Sequence, residues 1–139
     1  MAVVYFDASA LVKLVVHEDE DDVAISLWNA CDVAVSSRLA YPEVCAAIGA
    51  AHRHHRLDAG QVREAAQRWE VYWAEVRPVE LTEAVGREAG RLVRAHALSG
   101  ADGVHLACAL AFAEADPVVA CWDSRLAAGA AAEGLRTVP

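Results

Sequence analysis

The run Ala2-Val3-Val4-Tyr5-Phe6, closed by Asp7, most restricts what this chain can fold into. Rich in β-branched and aromatic side chains, it has no polar face to turn towards water. Such a run suits a strand covered on both sides, as in a parallel sheet. Residues 33–36 (Val-Ala-Val-Ser) and 118–122 (Val-Val-Ala-Cys-Trp) repeat the pattern, and weaker candidates lie at Val76–Leu81 and Leu135–Val138.

Helical periodicity fills the intervals. From Asp58 onward, Val62, Ala66, Trp69, Trp73 and Val76 recur at steps of three and four, which predicts one apolar helix face. Thr82 reads as an N-cap ahead of a second stripe of Val85, Ala89, Leu92, Val93 and His96. Ser99-Gly100 breaks the chain before a helix expected over 101–114, which Asp116-Pro117 stops. Ser124 is expected to cap a last alanine-rich helix ending at Gly134. Strands alternating with helices predict an α/β domain with a mainly parallel sheet. At 139 residues the chain is one domain's worth, spanning 1–139.

Composition removes several other classes. With 56% hydrophobic and 23% charged residues, a disordered or low-complexity chain is excluded. Cys31, Cys45, Cys108 and Cys121 are scattered without CxxC spacing, so free thiols are expected, not a disulfide scaffold or zinc module. Charged residues interrupt every apolar stretch well short of the roughly 20 residues a membrane span needs. No basic segment precedes the first apolar run, so no signal peptide is read there and a cytoplasmic protein is expected.

In open α/β sheets, ligands gather at the carboxyl ends of the strands. Asp7 follows the first strand, Asp123 follows the strand near 118–122, Asp102 opens the helix after Ser99-Gly100, and Glu43 lies early in the helix after the second strand. Singly, each acid has an ordinary explanation as a helix cap, a first-turn charge or an exposed helix residue. Jointly they call for a counter-charge. Two carboxylates 4 Å apart repel by about 4 kcal/mol at an effective dielectric of 20. The only lysine, Lys13, cannot serve four of them. Oxygen-only ligands suit Mg²⁺ or Mn²⁺ better than zinc, and the chemistry such sites serve is phosphoryl transfer or phosphodiester hydrolysis.

At this point the residues match a known family. Phe6-Asp7-Ala8-Ser9-Ala10-Leu11-Val12-Lys13-Leu14 closely resembles the opening of PIN-domain ribonucleases, above all the VapC-type toxins of bacterial toxin–antitoxin pairs. The resemblance continues at Tyr41-Pro42-Glu43-Val44, Ala101-Asp102-Gly103-Val104-His105-Leu106-Ala107 and Trp122-Asp123-Ser124-Arg125-Leu126, in family order across essentially the whole chain. It implies a single PIN-like domain with a parallel five-stranded sheet flanked by helices and an acidic pocket for Mg²⁺ or Mn²⁺. It places Asp7, Glu43, Asp102 and Asp123 on the four acidic positions, with Asp7, Asp102 and Asp123 as metal ligands. Glu43 would orient or deprotonate the attacking water, and Ser9 would hold Asp7 by a hydrogen bond. It further implies an RNA substrate, a small cognate antitoxin and a homodimer. Cys121 stands where the family often carries Thr, and Gly103 where Ala is frequent.

Two other readings compete. An aspartyl-phosphate domain of receiver or dehalogenase type also ends its first strand in Asp, but wants a late-strand lysine that this chain lacks. A catalytically silent PIN-like binding domain would not need all four acids. The remaining conspicuous groups have plainer explanations. The acidic run Glu18–Asp22 reads as a solvated loop entering a helix, not a second metal site. His52 and His54 face different directions, and His52 and His55 could meet but lack a third partner. These histidines, with Arg53 and Arg56, therefore read as a mildly basic solvent or interface patch. Arg87, Arg91 and Arg94 read as surface ion pairing, Trp28, Trp69 and Trp73 as core or dimer contacts, and His105 as packed beneath the site or in its outer shell. The formal charge of −8 therefore has local sources: without the run 18–22 and the four site acids the chain is close to neutral, and RNA is not excluded.

Overall fold

The computed structural model describes all residues, 1–139. β1 (Val3–Phe6) is followed by α1 (Ala8–Val15) and α2 (Asp21–Ala30), then β2 (Val33–Ser37). Next come α3 (Ala40–Arg53), α4 (Ala59–Glu75) and β3 (Val76–Val79). α5 (Glu83–His96), α6 (Gly100–Leu110) and a 3₁₀ turn (Ala113–Ala115) lead to β4 (Val118–Ala120), α7 (Ser124–Ala132) and β5 (Arg136–Val138). All pairings are parallel, in the order β3-β2-β1-β4-β5. No helix is long and apolar enough to cross a membrane.

The all-apolar β1 run takes the central position, and all four of its strand residues are buried. Alternation along the strands feeds two cores. Val4, Phe6, Ala34 and Ala120 pack on one side with α1, α3 and Trp69 of α4. Val3, Tyr5, Val35, Val119 and Cys121 pack on the other with Ala89 and Leu92 of α5, Leu106 of α6 and Leu126 of α7. Each fully buried Leu or Phe side chain contributes about 1.5–3 kcal/mol, so both faces must be covered for the central strand to be stable.

Local signals place the helix boundaries, with three differences from the sequence expectation. The α7 cap is Asp123, whose Oδ1 accepts from the backbone N–H of Arg125 and Leu126, both at 2.9 Å; Ser124 is the first helical residue. On α4 the buried positions are Ala65 and Trp69, while Ala66 faces solvent, because the stripe drifts round the helix by one position. α6 stops at Leu110 and the chain tightens into the 3₁₀ turn before Asp116, which has φ 49°. Asp58 and Gln61 form a reciprocal capping box on α4, and Thr82 caps α5 as expected.

Gly103 explains itself through packing. A Cβ there would lie 2.3 Å from Val93 Cγ1 and 3.0 Å from the Ala89 carbonyl oxygen, so the missing side chain lets α5 and α6 approach closely. The run 18–22 enters α2 as expected, with Asp19, Glu20 and Asp22 exposed, and is tied down at a few points. Lys13 Nζ donates to the Asp19 carbonyl at 2.6 Å, the Trp122 indole donates to Glu20 at 2.8 Å, and Asp21 and Asp22 occupy the first turn of α2. Arg87 pairs with Glu83 at 2.9 Å and Arg91 with both Glu88 and Glu133, at 2.7 and 2.6 Å, as surface ion pairing requires.

Candidate active site

The strand order reverses at β1: the chain moves outward through β2 and β3, then returns to the opposite side with β4. The carboxyl ends of β1 and β4 therefore flank a topological switch point, where loops leave in opposite directions and open a crevice. Asp7 immediately follows β1, and Asp123 caps the helix that follows β4. Asp102 enters from the first turn of α6 and Glu43 from the first turn of α3.

Asp7 is the most constrained of the four. It is 4% exposed and caps α1, its Oδ1 accepting from Ala10 N–H at 2.9 Å and from the Ser9 hydroxyl at 2.6 Å. Ser9 Oγ in turn accepts the Trp122 N–H at 2.9 Å, so one hydroxyl ties the β1 exit to the β4 exit. Both hydrogen bonds fall on Oδ1, leaving Oδ2 without a protein partner. Burial pushes the Asp7 carboxyl up from 3.8 to about 6, against the lowering effect of the Ser9 and Ala10 hydrogen bonds.

The four acids feel one another. Asp102 is raised first by burial and then by the charge of Asp123, with a further contribution from Glu43, and Asp102 itself helps raise Asp7. Asp123 is exposed, and its Oδ1 is taken up by the α7 cap. Glu43 is partly buried, and its Oε1 meets His105 Nε2 at 2.6 Å. Cys121 lies among Asp7, Asp123 and Asp102; burial comes first and these charges add to it, pushing its thiol up to about 12. A thiol so held stays protonated and donates weakly to the Asp123 carbonyl at 3.8 Å, where a hydroxyl would present a hard oxygen.

The donor set fits a hard divalent ion of limited protein coordination. Asp7 and Asp123 each have one oxygen fixed by backbone N–H groups and the other free. No three His, Cys, Asp or Glu side chains stand close enough to enclose an ion by themselves. Mg²⁺ is commonly held in this way, by one or two carboxylates with water and a substrate phosphate completing the octahedron. Of the four acids only Asp123 lines a concavity, of about 330 Å³, beside Cys121, Trp122, Ser124, Ala127 and Pro139.

His105 is the residue whose connections the sequence did not reveal. It is 2% exposed, with Nδ1 2.7 Å from the Tyr5 hydroxyl and Nε2 on Glu43. Its packed position follows from the i, i+3 spacing to Asp102, which puts both on one side of α6, but the partners come from β1 and α3.

Fold and site together define a class: a parallel α/β domain with a strand-end site built from carboxylates, without lysine. A family model described as "PIN domain" matches residues 4–130. Ribonuclease VapC45 from Mycobacterium tuberculosis (strain CDC 1551 / Oshkosh) is 55% identical over 139 residues, covering 100% of this chain and 96% of the relative. The same identity and coverage hold for ribonuclease VapC49 from strain ATCC 25618 / H37Rv. The chain belongs to the PIN domain family, in its VapC-type branch.

Solved structures agree on the fold. PAE2754 from Pyrobaculum aerophilum superposes with a TM-score of 0.67 at 22% identity, covering 99% of this chain and 92% of that one. A toxin–antitoxin complex from Klebsiella pneumoniae gives 0.64 at 15% identity, covering 98% and 96%.

Proposed function

We propose that this protein is a divalent-metal-dependent endoribonuclease that hydrolyses RNA phosphodiester bonds as the toxin of a toxin–antitoxin pair. The observation that carries the chemistry is the gathering of Asp7, Glu43, Asp102 and Asp123 at the switch point without a compensating lysine. The kinship with proteins named ribonuclease VapC supports the substrate and the reaction.

Asp7, Asp102 and Asp123 are the residues that would hold the ion, with water and substrate phosphate completing a shell that the three acids do not close by themselves. Mg²⁺ or Mn²⁺, when bound, would neutralise the scissile phosphate and acidify the attacking water. Ser9 and the α1 N-terminus hold Asp7 Oδ1 and leave Oδ2 without a protein partner, available to an ion. The α7 N-terminus does the same for Asp123. Glu43 accepts the proton of the attacking water; the P–O bond to the leaving oxygen breaks, and that oxygen is protonated from solvent.

A small antitoxin covering this edge is the partner the reading implies, and the likeness in fold to a chain of the Klebsiella pneumoniae toxin–antitoxin complex supports it. Homodimerisation and a cytoplasmic location belong to the same proposal.

The test is cleavage of an RNA mixture by purified, antitoxin-free protein. Activity is expected with Mg²⁺ or Mn²⁺, loss of activity with EDTA, and loss of at least 100-fold in Asp7→Asn and Asp102→Asn without unfolding. Undiminished cleavage in EDTA, or full activity of either variant, would refute the site.

A further inference from the structure

Tyr5, His105 and Glu43 form one hydrogen-bonded line from the floor of the sheet to its acidic edge. Tyr5 is 1% exposed and His105 2%, so water does not compete for either ring. Both imidazole nitrogens are used: Nδ1 lies 2.7 Å from the Tyr5 hydroxyl and Nε2 2.6 Å from Glu43 Oε1. A phenol keeps its proton at neutral pH, and at this distance the Tyr5 hydroxyl donates it to Nδ1. A neutral imidazole that accepts at Nδ1 carries its hydrogen on Nε2, and that hydrogen points at the carboxylate.

We propose that His105 is a positioning residue for Glu43: Tyr5 fixes its tautomer, Nε2–H anchors Oε1, and Oε2 is thereby aimed into the crevice. The proposal rests on the reading of Glu43 as the group that takes the water's proton. Glu43 has three rotatable side-chain bonds and only partial burial, so α3 alone does not hold its carboxylate in one place. The imidazole comes from α6, the helix that carries Asp102 one turn earlier. One rigid element thus sets the separation between a metal-binding acid and the base. His105 touches neither water nor substrate. Losing such an outer hydrogen bond typically costs 10–100-fold in activity.

The experiment combines two readouts. In ¹⁵N-histidine spectra of the wild-type protein, His105 should show hydrogen on Nε2 only, and Tyr5→Phe should release the other tautomer. Hydrogen on Nδ1 in the wild type would overturn the proposal whatever the activities. In steady-state cleavage of a fluorogenic RNA, His105→Leu should lower kcat 10–100-fold with KM and Mn²⁺ affinity unchanged. His105→Gln, whose amide nitrogen reaches the Nε2 position, should stay within about threefold of wild type and keep its pH profile.

Added to Glu43→Gln, His105→Leu should cost nothing further. Wild-type activity in His105→Leu, equal loss in the Gln and Leu variants, or additivity in the double variant would each refute positioning. If Glu43→Gln itself cleaves at the wild-type rate, the assignment of Glu43 as the base falls. If Glu43→Gln is crippled while His105→Leu is not, only the positioning role falls.

Discussion

Asp7→Asn should make the metal-free protein more stable while destroying its activity. Asp7 is buried, and desolvation lifts its carboxyl from 3.8 to about 6 despite two hydrogen bonds that favour the anion. An acid whose folded value lies above its unfolded one binds its proton more tightly in the folded state. Well below pH 3.8 both states are protonated and the carboxyl costs folding nothing. As pH rises from 4 to 6 the unfolded chain ionises first, stability falls, and above about pH 6 the full penalty is present.

The offset between 3.8 and about 6 corresponds to about 3 kcal/mol. Asparagine keeps an oxygen for Ser9 and Ala10 and removes the charge, so about 1–3 kcal/mol should be recovered at pH 8 after imperfect fitting of the amide. For a chain of this size that is a rise in Tm of roughly 3–9 °C. Calorimetry in EDTA at pH 4 and pH 8 measures it: the variant should gain fully at pH 8 and only a small part of that at pH 4. Adding Mg²⁺ should stabilise the wild type and not the variant, by about 1.4 kcal/mol at ten times the dissociation constant. An Asn variant that is less stable at pH 8, or whose gain is the same at both pH values, would refute the picture of a desolvated carboxylate held for an ion.

Ser9→Ala removes the hydrogen bonds to Asp7 Oδ1 and from Trp122 N–H, so it should cost about 1–2 kcal/mol in urea unfolding. Because Ser9 lowers the Asp7 value, the pH window over which stability falls should move upward in the same variant. Gly103→Ala should destabilise by about 1–3 kcal/mol despite the better helix propensity of Ala, because the backbone oxygen of Ala89 cannot rotate away from the new methyl. A parallel fall in cleavage is expected because Asp102 precedes it on α6; a Gly103→Ala protein as stable and active as wild type would show that the helices adjust freely.

The strands were legible because burial on both faces leaves a run such as Val3–Phe6 without alternation, and the helices because apolar spacing repeats. The exit of α4 was harder to place: Val76 continues the helical spacing of Trp69 and Trp73, yet it begins β3. Periodicity registers spacing alone, and the pairing of Val76 with Ala34 of β2 decides the matter. Ser124 misled for a related reason. Ser and Asp are comparable N-caps, and which residue takes the position depends on where the β4 exit points the Asp123 carboxylate.

The site divides along the same line. Asp7 and Ser9 are two residues apart, so their contact is local and readable, whereas the bridge from Ser9 to Trp122 needs β1 and β4 as neighbours. The line Tyr5–His105–Glu43 draws on β1, α6 and α3, and no spacing in the chain encodes it. A motif of acids can be recognised because each acid keeps its own short context. What aims those acids is supplied by side chains remote in sequence, which look like core residues until the sheet brings them together. Buried polar residues within a turn of a predicted site are therefore better guides to its geometry than exposed charges further off; here His105, not Arg87 or Arg91, is the histidine or arginine that reaches a site carboxylate.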